Sequence, residues 1–366
     1  VDDGILVVNA GSSSIKYAAF RDAGGDGPLL LGRGQVEGLG VSPRFVGRDQ
    51  AGRILEERTW PAGEPFAHAA AMQFLMDWLA ENERDIRIVA AGHRVAHGGR
   101  QYARPTLIDA DVIRDLAALT PLAPLHQPHH LAAMTAIAAR FPALPQVACF
   151  DTAFHRTHAR TTQLFAIPRA LSDAGVLRYG FHGISYEFIA TRLPLHVPQA
   201  RRVVVAHLGN GASMCAMLDG VSIDSTMGFT AVEGLPMGTR TGSLDPGVLL
   251  FLVQAHRYDG PRLERFLYKE SGLLGVSGVS SDMRDLLGSA EPAAAEAIEL
   301  FCTAIVKQAG ALAAVLGGLD ALVFTAGIGE HAAPVRQKVC RRLAWLGLTL
   351  DEAANAGHGP RISTAD

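Results

Sequence analysis

The chain has 366 residues, 33 Lys+Arg against 36 Asp+Glu, and a formal charge of −3. That balance argues against a nucleic-acid binder, which is normally basic or carries a basic stripe. A composition 48% hydrophobic and 19% charged is that of a folded globular protein, and the length predicts two domains, residues 1–150 and 151–366.

Residues 4–8 form a short apolar run that ends in Asn9-Ala10-Gly11-Ser12-Ser13-Ser14, and a second apolar run, 15–20, follows at once. This predicts a hairpin that starts a sheet. A third strand is expected at 29–35, and 40–65 is turn-rich with a weak signal. Helical spacing over 66–82 comes from Phe66, Ala70, Phe74, Trp78 and Leu79. A buried strand at 86–91 delivers Gly92-His93-Arg94, a helix is expected at 128–140, and strand 147–150 ends at Asp151.

The second half restarts the same grammar. A strand at 203–207 leads into Gly209-Asn210-Gly211 and a strand at 212–218. Asp219-Gly220 then turns the chain into 221–224. A long Ala- and Leu-rich helix is expected at 291–317, a strand at 321–325 running into Gly327-Ile328-Gly329-Glu330, and a helix at 332–345. Two related α/β halves with a cleft between them fit this repetition.

Glycine, at 39 of 366 residues, predicts tight turns or close backbone approach to a ligand. Three Gly-rich turns carry phosphate-type chemistry. The first has Gly11, three hydroxyls and Lys16, the one lysine in the first 268 positions; it reads equally as a phosphate cradle or a solvated hairpin turn. It is not G-x-x-x-x-G-K-[ST]. The second is Gly209-Asn210-Gly211, and the third is Gly327-Ile328-Gly329. Together they suggest a nucleotide.

Arg94 and Arg240 lie among Gly and Thr, where guanidinium forks gripping a carboxylate or phosphoryl group are a better reading than surface ion pairs. Asp151, at the carboxyl end of a strand, could hold Mg²⁺ or cap a helix. His126, His129 and His130 would put two imidazoles on one helix face, but no Cys or close acid completes a zinc site. For His182, between Gly and aromatic residues, a packed and hydrogen-bonded ring is the default.

Cys149, Cys215, Cys302 and Cys340 form no C-x-x-C pair, which fits a reducing cytosol. The N-terminus shows no export signal, and the most apolar stretch, 308–319, is too short to span a bilayer. A cytoplasmic protein with no membrane partner is expected.

The ordered motifs from Val7-Val8-Asn9-Ala10-Gly11-Ser12 to Ile362-Ser363-Thr364 resemble the acetokinase family, within the actin, sugar-kinase and heat-shock ATPase superfamily. Landmarks include Gly92-His93-Arg94-Val95, Phe150-Asp151-Thr152-Ala153-Phe154-His155, Tyr179-Gly180-Phe181-His182-Gly183 and Met237-Gly238-Thr239-Arg240. The resemblance implies an α/β fold of two actin-like (ribonuclease H-like) domains with an interdomain active-site cleft. It also implies reversible phosphoryl transfer between ATP and a small carboxylate, giving ADP and an acyl phosphate, and a homodimer.

By match, Arg94 and Arg240 would hold the carboxylate and the moving phosphoryl group, His182 would donate to that group, and His126 would support it. Asn9, Ser12 and Lys16 would lie on the phosphoryl side. Asp151 would orient Arg94 and, with Asn9, place Mg²⁺ or Mn²⁺. His207, Gly209, Asn210 and Gly211 would meet the nucleotide phosphates. Asp282, Met283, Arg284, Gly327, Ile328, Gly329 and Glu330 would frame the adenosine.

Several positions depart from the family pattern: Gln127 for Asn, Ile184-Ser185-Tyr186 for Thr-Ser-His, Asp224-Ser225-Thr226 for Asp-Thr-Ser, Ser243 for Asp and His331 for Asn. In the acyl pocket, Ala96 replaces Val and Ala231 replaces Pro, while Leu125 and Phe181 remain as walls. The larger pocket predicts that propionate is used comparably to acetate, with butyrate a further candidate. A return segment with a metal-linked Glu is expected by resemblance beyond Ile362-Ser363-Thr364 and is missing from this sequence. Other readings are a superfamily kinase acting on a sugar or butyrate, or an inactive nucleotide-binding actin-like relative.

Overall fold

The computed structural model describes residues 2–11, 13–22, 27–63, 66–82, 86–124 and 126–364. The chain divides into two compact units, Val1–Ala153 and Phe154–Asp366.

The first unit is built on an eight-stranded sheet. Its strands are β1 (Asp2–Ala10), β2 (Ser14–Asp22), β3 (Pro28–Glu37), β4 (Arg44–Asp49), β5 (Ile54–Thr59), β6 (Ile86–Val95), β7 (Thr106–Leu107) and β8 (Gln146–Phe150). They lie in the order β5-β4-β3-β2-β1-β6-β8-β7. The expected hairpin is β1–β2, antiparallel, with Asn9 opposite Lys16 and Ala10 opposite Ile15. On its other side β1 pairs in parallel with β6, and β6 with β8. Helices His68–Asn82 and Gln127–Arg140 bury Leu75, Trp78 and Ile137 with Leu6, Ile15 and Phe45 of the sheet.

Two differences from the sequence reading matter. Residues 40–65 hold β4 and β5, which the sequence signal missed because β5 is an edge strand with an almost wholly exposed, charged surface. The strand expected at 86–91 continues to Val95, so His93 and Arg94 lie on it.

The second unit has a four-stranded sheet, β11-β10-β9-β12, from β9 (Arg202–Leu208), β10 (Ala212–Leu218), β11 (Val221–Ser225) and β12 (Ala321–Thr325). Again a first strand, β9, has an antiparallel neighbour (β10) on one side and a parallel one (β12) on the other. Both faces are buried. Val204, Ala206 and Leu208 face the core that holds Phe301 and Ile305, while Val203 and Val205 face Tyr186 and Leu193. That explains the near-continuous apolar run in β9.

Helix Pro292–Leu316 is long and apolar enough to cross a membrane, longer than the 308–319 stretch suggested. Its Ala294, Phe301, Ile305, Ala309 and Leu312 are instead the buried centre of the second unit. Helix Gly183–His196 escaped the sequence reading because it opens on Gly and contains Pro194. All four cysteines are free thiols.

Candidate active site

In the first unit, three neighbouring parallel strands end side by side. The β1–β6 register runs to Val8 opposite His93, and the next residues are Asn9 and Arg94. The β6–β8 register runs to Val95 opposite Phe150, and the Asp151 amide donates to the Val95 carbonyl at 2.9 Å. The strand ends therefore deliver Asn9, Arg94 and Asp151 to one place, where open α/β sheets bind ligands.

Asp151 is 2% exposed and grips the Arg94 guanidinium from the side. Arg94 Nη2 donates to Asp151 Oδ2 at 2.6 Å, and Nε to Oδ1 at 3.1 Å. The Asp151 charge raises the Arg94 pKa above its already high value. Arg94 Nη1 reaches Asn9 Oδ1 at 3.4 Å. Arg94 stays partly exposed, so one edge of a fixed, permanently charged fork faces outward.

The turn between β1 and β2 closes through Gly11 N to Ser14 O at 2.7 Å. The Gly11 carbonyl lies 2.6 Å from His68 Nε2, so that nitrogen carries a proton and donates. The His68 ring stacks on His129 at 4.2 Å. Sequence reasoning missed His68, because nothing in its local pattern links a helix start to a turn 57 residues earlier. Lys16, opposite Asn9, is exposed on the same face. Ser12 and Leu125 lie outside the described residues.

His126 stands immediately before helix Gln127–Arg140, its ring nearly parallel to that of His130 with 6.4 Å between centroids. Burial holds the His130 pKa well below the usual value, with a further push from Arg94. Among the described residues no group of three His, Cys, Asp or Glu gathers to hold a metal. Gln127 Nε2 donates to the Leu116 carbonyl at 3.2 Å and to the His97 carbonyl at 3.3 Å. Ala96 is buried.

In the second unit the Gly209-Asn210-Gly211 turn joins β9 and β10, with Gly209 N bonded to Gly211 O at 3.1 Å. Asn210 is exposed, and its carbonyl accepts from Gly238 N at 3.0 Å. His182 precedes helix Gly183–His196 in a left-handed conformation, φ 58. Its ring stacks on His207 at 4.2 Å. A methyl group added at Gly211 would lie 3.3 Å from His182 Nε2 and 3.6 Å from Arg240 Nη1. An imidazole nitrogen and a guanidinium thus converge on this one glycine.

Arg240 is aimed by Ala231, whose carbonyl accepts from Nη1 at 2.9 Å. Phe181 is 4% exposed and belongs to the core of the unit. His155 lies beneath this segment: its Nε2 donates to the Phe181 carbonyl at 3.0 Å. The packing leaves no room for a side chain at Gly180, where a Cβ would come 2.5 Å from the His155 ring.

The third Gly-rich segment is not an open turn. Ala326 takes φ 66, and Ala326–His331 is a short helix that includes Gly327, Ile328 and Gly329. Glu330 Oε1 folds back to accept from Ala326 N at 3.0 Å. Buried Arg336, unmarked in the sequence, donates to the Gly329 carbonyl at 2.9 Å and the Glu330 carbonyl at 2.7 Å.

Asp282 caps helix Met283–Gly288 through Arg284 N at 2.8 Å, and the Arg284 side chain and backbone bonds bring its pKa to about 2. Arg284 is exposed, whereas Met283 is buried in the core and offers no free surface. A cavity of about 410 Å³ in this unit is lined by Thr161, Arg178, Glu233 and Gln308 among others, together with Asp224, Ser225, Thr226 and Ser243 of the departures noted above, and by none of the residues assigned to the phosphoryl, acyl or nucleotide positions.

A model of the acetokinase family matches residues 4–366. The chain is 50% identical over 367 residues to the acetate kinase of Nitrobacter hamburgensis, covering 100% of this chain and 90% of that one. It is 51% identical to the acetate kinase of Rhodopseudomonas palustris, covering 100% and 93%. A propionate kinase structure from Francisella tularensis superposes with a TM-score of 0.91 at 35% identity, over 99% of this chain and 94% of that one. Porphyromonas gingivalis acetate kinase gives 0.87 at 36% identity, over 99% and 93%.

Proposed function

We propose the residue roles below on the premise that the chain belongs to the acetokinase family. It is an acetate kinase with an actin-like α/β fold, moving a phosphoryl group between ATP and acetate to give ADP and acetyl phosphate.

Acetate has a pKa near ~4–5 and is ionised at neutral pH, so attack on the γ-phosphorus needs no general base. The barrier is the approach of like charges, and what lowers it is fixed positive charge and in-line alignment. The observation that carries the assignment is the convergence of His182 Nε2 and Arg240 Nη1 on Gly211. These two groups neutralise the equatorial oxygens of the moving phosphoryl group. Arg94, held at a set angle by Asp151, grips the acetate carboxylate. His126 supports the phosphoryl group, and Asn9 contacts it, with Lys16 beside. Backbone N–H groups of the Gly209–Gly211 turn, with Asn210 and His207, take the nucleotide phosphates. Asp282, Arg284 and the segment 327–330 frame the adenosine.

Phosphoryl transfer from ATP implies Mg²⁺ or Mn²⁺. The donor set fits: Asp151 offers a carboxylate and Asn9 an amide oxygen, hard ligands suited to an ion that keeps several waters and phosphate oxygens. When bound, the ion supplies charge neutralisation on the phosphates. The test is acyl phosphate formation, trapped as hydroxamate, by Arg240→Ala and Arg94→Ala. Losses of orders of magnitude in folded protein are expected; near-wild-type turnover would remove the role.

A second reading, comparable use of propionate, rests on Ala96 and Ala231, the two small residues of the acyl pocket. The likeness to a propionate kinase structure supports it.

A homodimer fits helix Pro246–His256, apolar on nearly every side and without a buried residue. Leu250 is 60% exposed and Phe251 56%. Such a surface calls for a partner, and Phe251→Glu should then yield a monomer in sedimentation. The four free thiols suit a reducing compartment, and we place the enzyme in the cytoplasm; labelled protein recovered in an exported fraction would contradict that.

A further inference from the structure

We infer that Ser213 and Tyr186 are positioning residues that hold His182 as the tautomer with its proton on Nε2. This rests on the role given above to His182.

The placement follows from strand register. In the β9–β10 pair, Ser213 lies directly opposite His207, so both side chains leave the same face of the sheet. The His182 ring stacks on His207 there, at 4.2 Å with 24° between the planes. Helix Gly183–His196 covers that face, and its first turn supplies two hydroxyls. Ser185 Oγ lies 2.9 Å from His207 Nδ1. Tyr186 Oη lies 2.5 Å from Ser213 Oγ, which in turn lies 2.8 Å from His182 Nδ1.

The direction of this chain follows from chemistry. Tyr186 and Ser213 are both 0% exposed, so bulk water does not compete for them. A serine hydroxyl has one proton and can donate in one direction only. The phenol, with a pKa of about 10, is a far stronger acid than an alcohol, and so the better donor and poorer acceptor of the two. Tyr186 therefore donates to Ser213 Oγ. The Ser213 proton is then directed at His182 Nδ1, which must accept with its lone pair. The imidazole proton lies on Nε2, the nitrogen beside Gly211 and Arg240.

The consequence is electrostatic. Nε2–H presents a donor to anionic phosphoryl oxygens, while the other tautomer would present a lone pair and repel them. No proton is transferred at any step; the network selects which face of an existing donor is shown.

The test uses the whole protein with ¹⁵N-labelled histidine and long-range ¹H–¹⁵N correlation, the His182 signals being identified by their loss in His182→Asn. The expected result at neutral pH is an unprotonated Nδ1 and a protonated Nε2. Ser213→Ala should mix the tautomers and lower kcat about tenfold with little change in KM. Ser213→Thr, which keeps the hydroxyl, should restore both. Tyr186→Phe, a smaller change, should show the same mixing should Ser213→Ala fail to fold. A protonated Nδ1 in the wild type would overturn the proposal, as would Ser213→Ala and Tyr186→Phe with unchanged signals. Wild-type kcat in His182→Asn would instead remove the role of His182 on which the proposal rests. The spectrum separates that failure from a wrongly assigned tautomer.

Discussion

Arg94 and Asp151 meet from the ends of adjacent parallel strands, with Nη2 2.6 Å from Oδ2 and Nε 3.1 Å from both carboxylate oxygens. The carboxylate takes the Nε edge of the fork and leaves Nη1 pointing towards Asn9. Asp151→Asn keeps the shape but removes the charge that fixes the angle. The expected outcome is a fall in kcat/KM for acetate of about 100-fold, with a Tm shift of only a few degrees, because Arg94 is partly solvated. Steady-state kinetics and a thermal melt check it. Unchanged kcat/KM would show that Arg94 needs no such guide.

Gly211 tests the cluster of the second unit. It has no left-handed backbone requirement, so alanine is tolerated conformationally, and its methyl would stand 3.3 Å from His182 Nε2. Gly211→Ala should therefore fold normally and lose kcat/KM by at least tenfold, through occupation of the space assigned to a phosphoryl oxygen. Normal turnover would place the reacting phosphate elsewhere.

What could be read from the sequence divides along physical lines. Strands such as β1 and β9 announced themselves through unbroken apolar runs leading into Gly-rich turns, and Arg94 and Asp151 stood out at or just beyond a strand end, whereas Asn9 was found only through the family resemblance. The edge strand β5 and helix Pro246–His256 did not, since one lacks an apolar face and the other lacks a polar one. The contacts of His68, His155 and Ser213 were invisible for a different reason. Their partners are Gly11, Phe181 and His182, all far away in sequence. Single-sequence patterns carry no signal for hydrogen bonds of that span.

Two buried histidines give a pH prediction. Burial lowers the His93 pKa to about 4 and the His158 pKa to about 3, against about 6.5 when unfolded. Between these limits the unfolded chain binds more protons than the folded one, so stability rises with pH. It is complete above about pH 6.5 and is lost progressively as the pH falls towards 4 and below. Tm should fall steadily from pH 7 to pH 4.5, and His93→Gln should flatten part of that slope. A flat Tm over this range would mean that these rings titrate normally in the folded protein.

The acyl pocket gives a specificity prediction. Ala96 is buried immediately after Val95, the last residue of the strand that carries Arg94, and is the residue proposed above for the wall around the acyl chain. Ala231 contributes its carbonyl to Arg240. Restoring the larger residue, Ala96→Val, adds two methyl groups to a packed site. The expected effect is selective: kcat/KM for propionate falls about tenfold relative to acetate, since one methylene in an apolar pocket is worth ~1–3 kcal/mol. Acetate turnover itself should change little, because Arg94 and Asp151 keep their geometry. Equal losses on both substrates would mean that Ala96 packs behind Arg94 without touching the acyl chain. The preference would then have to come from residues other than the two alanines.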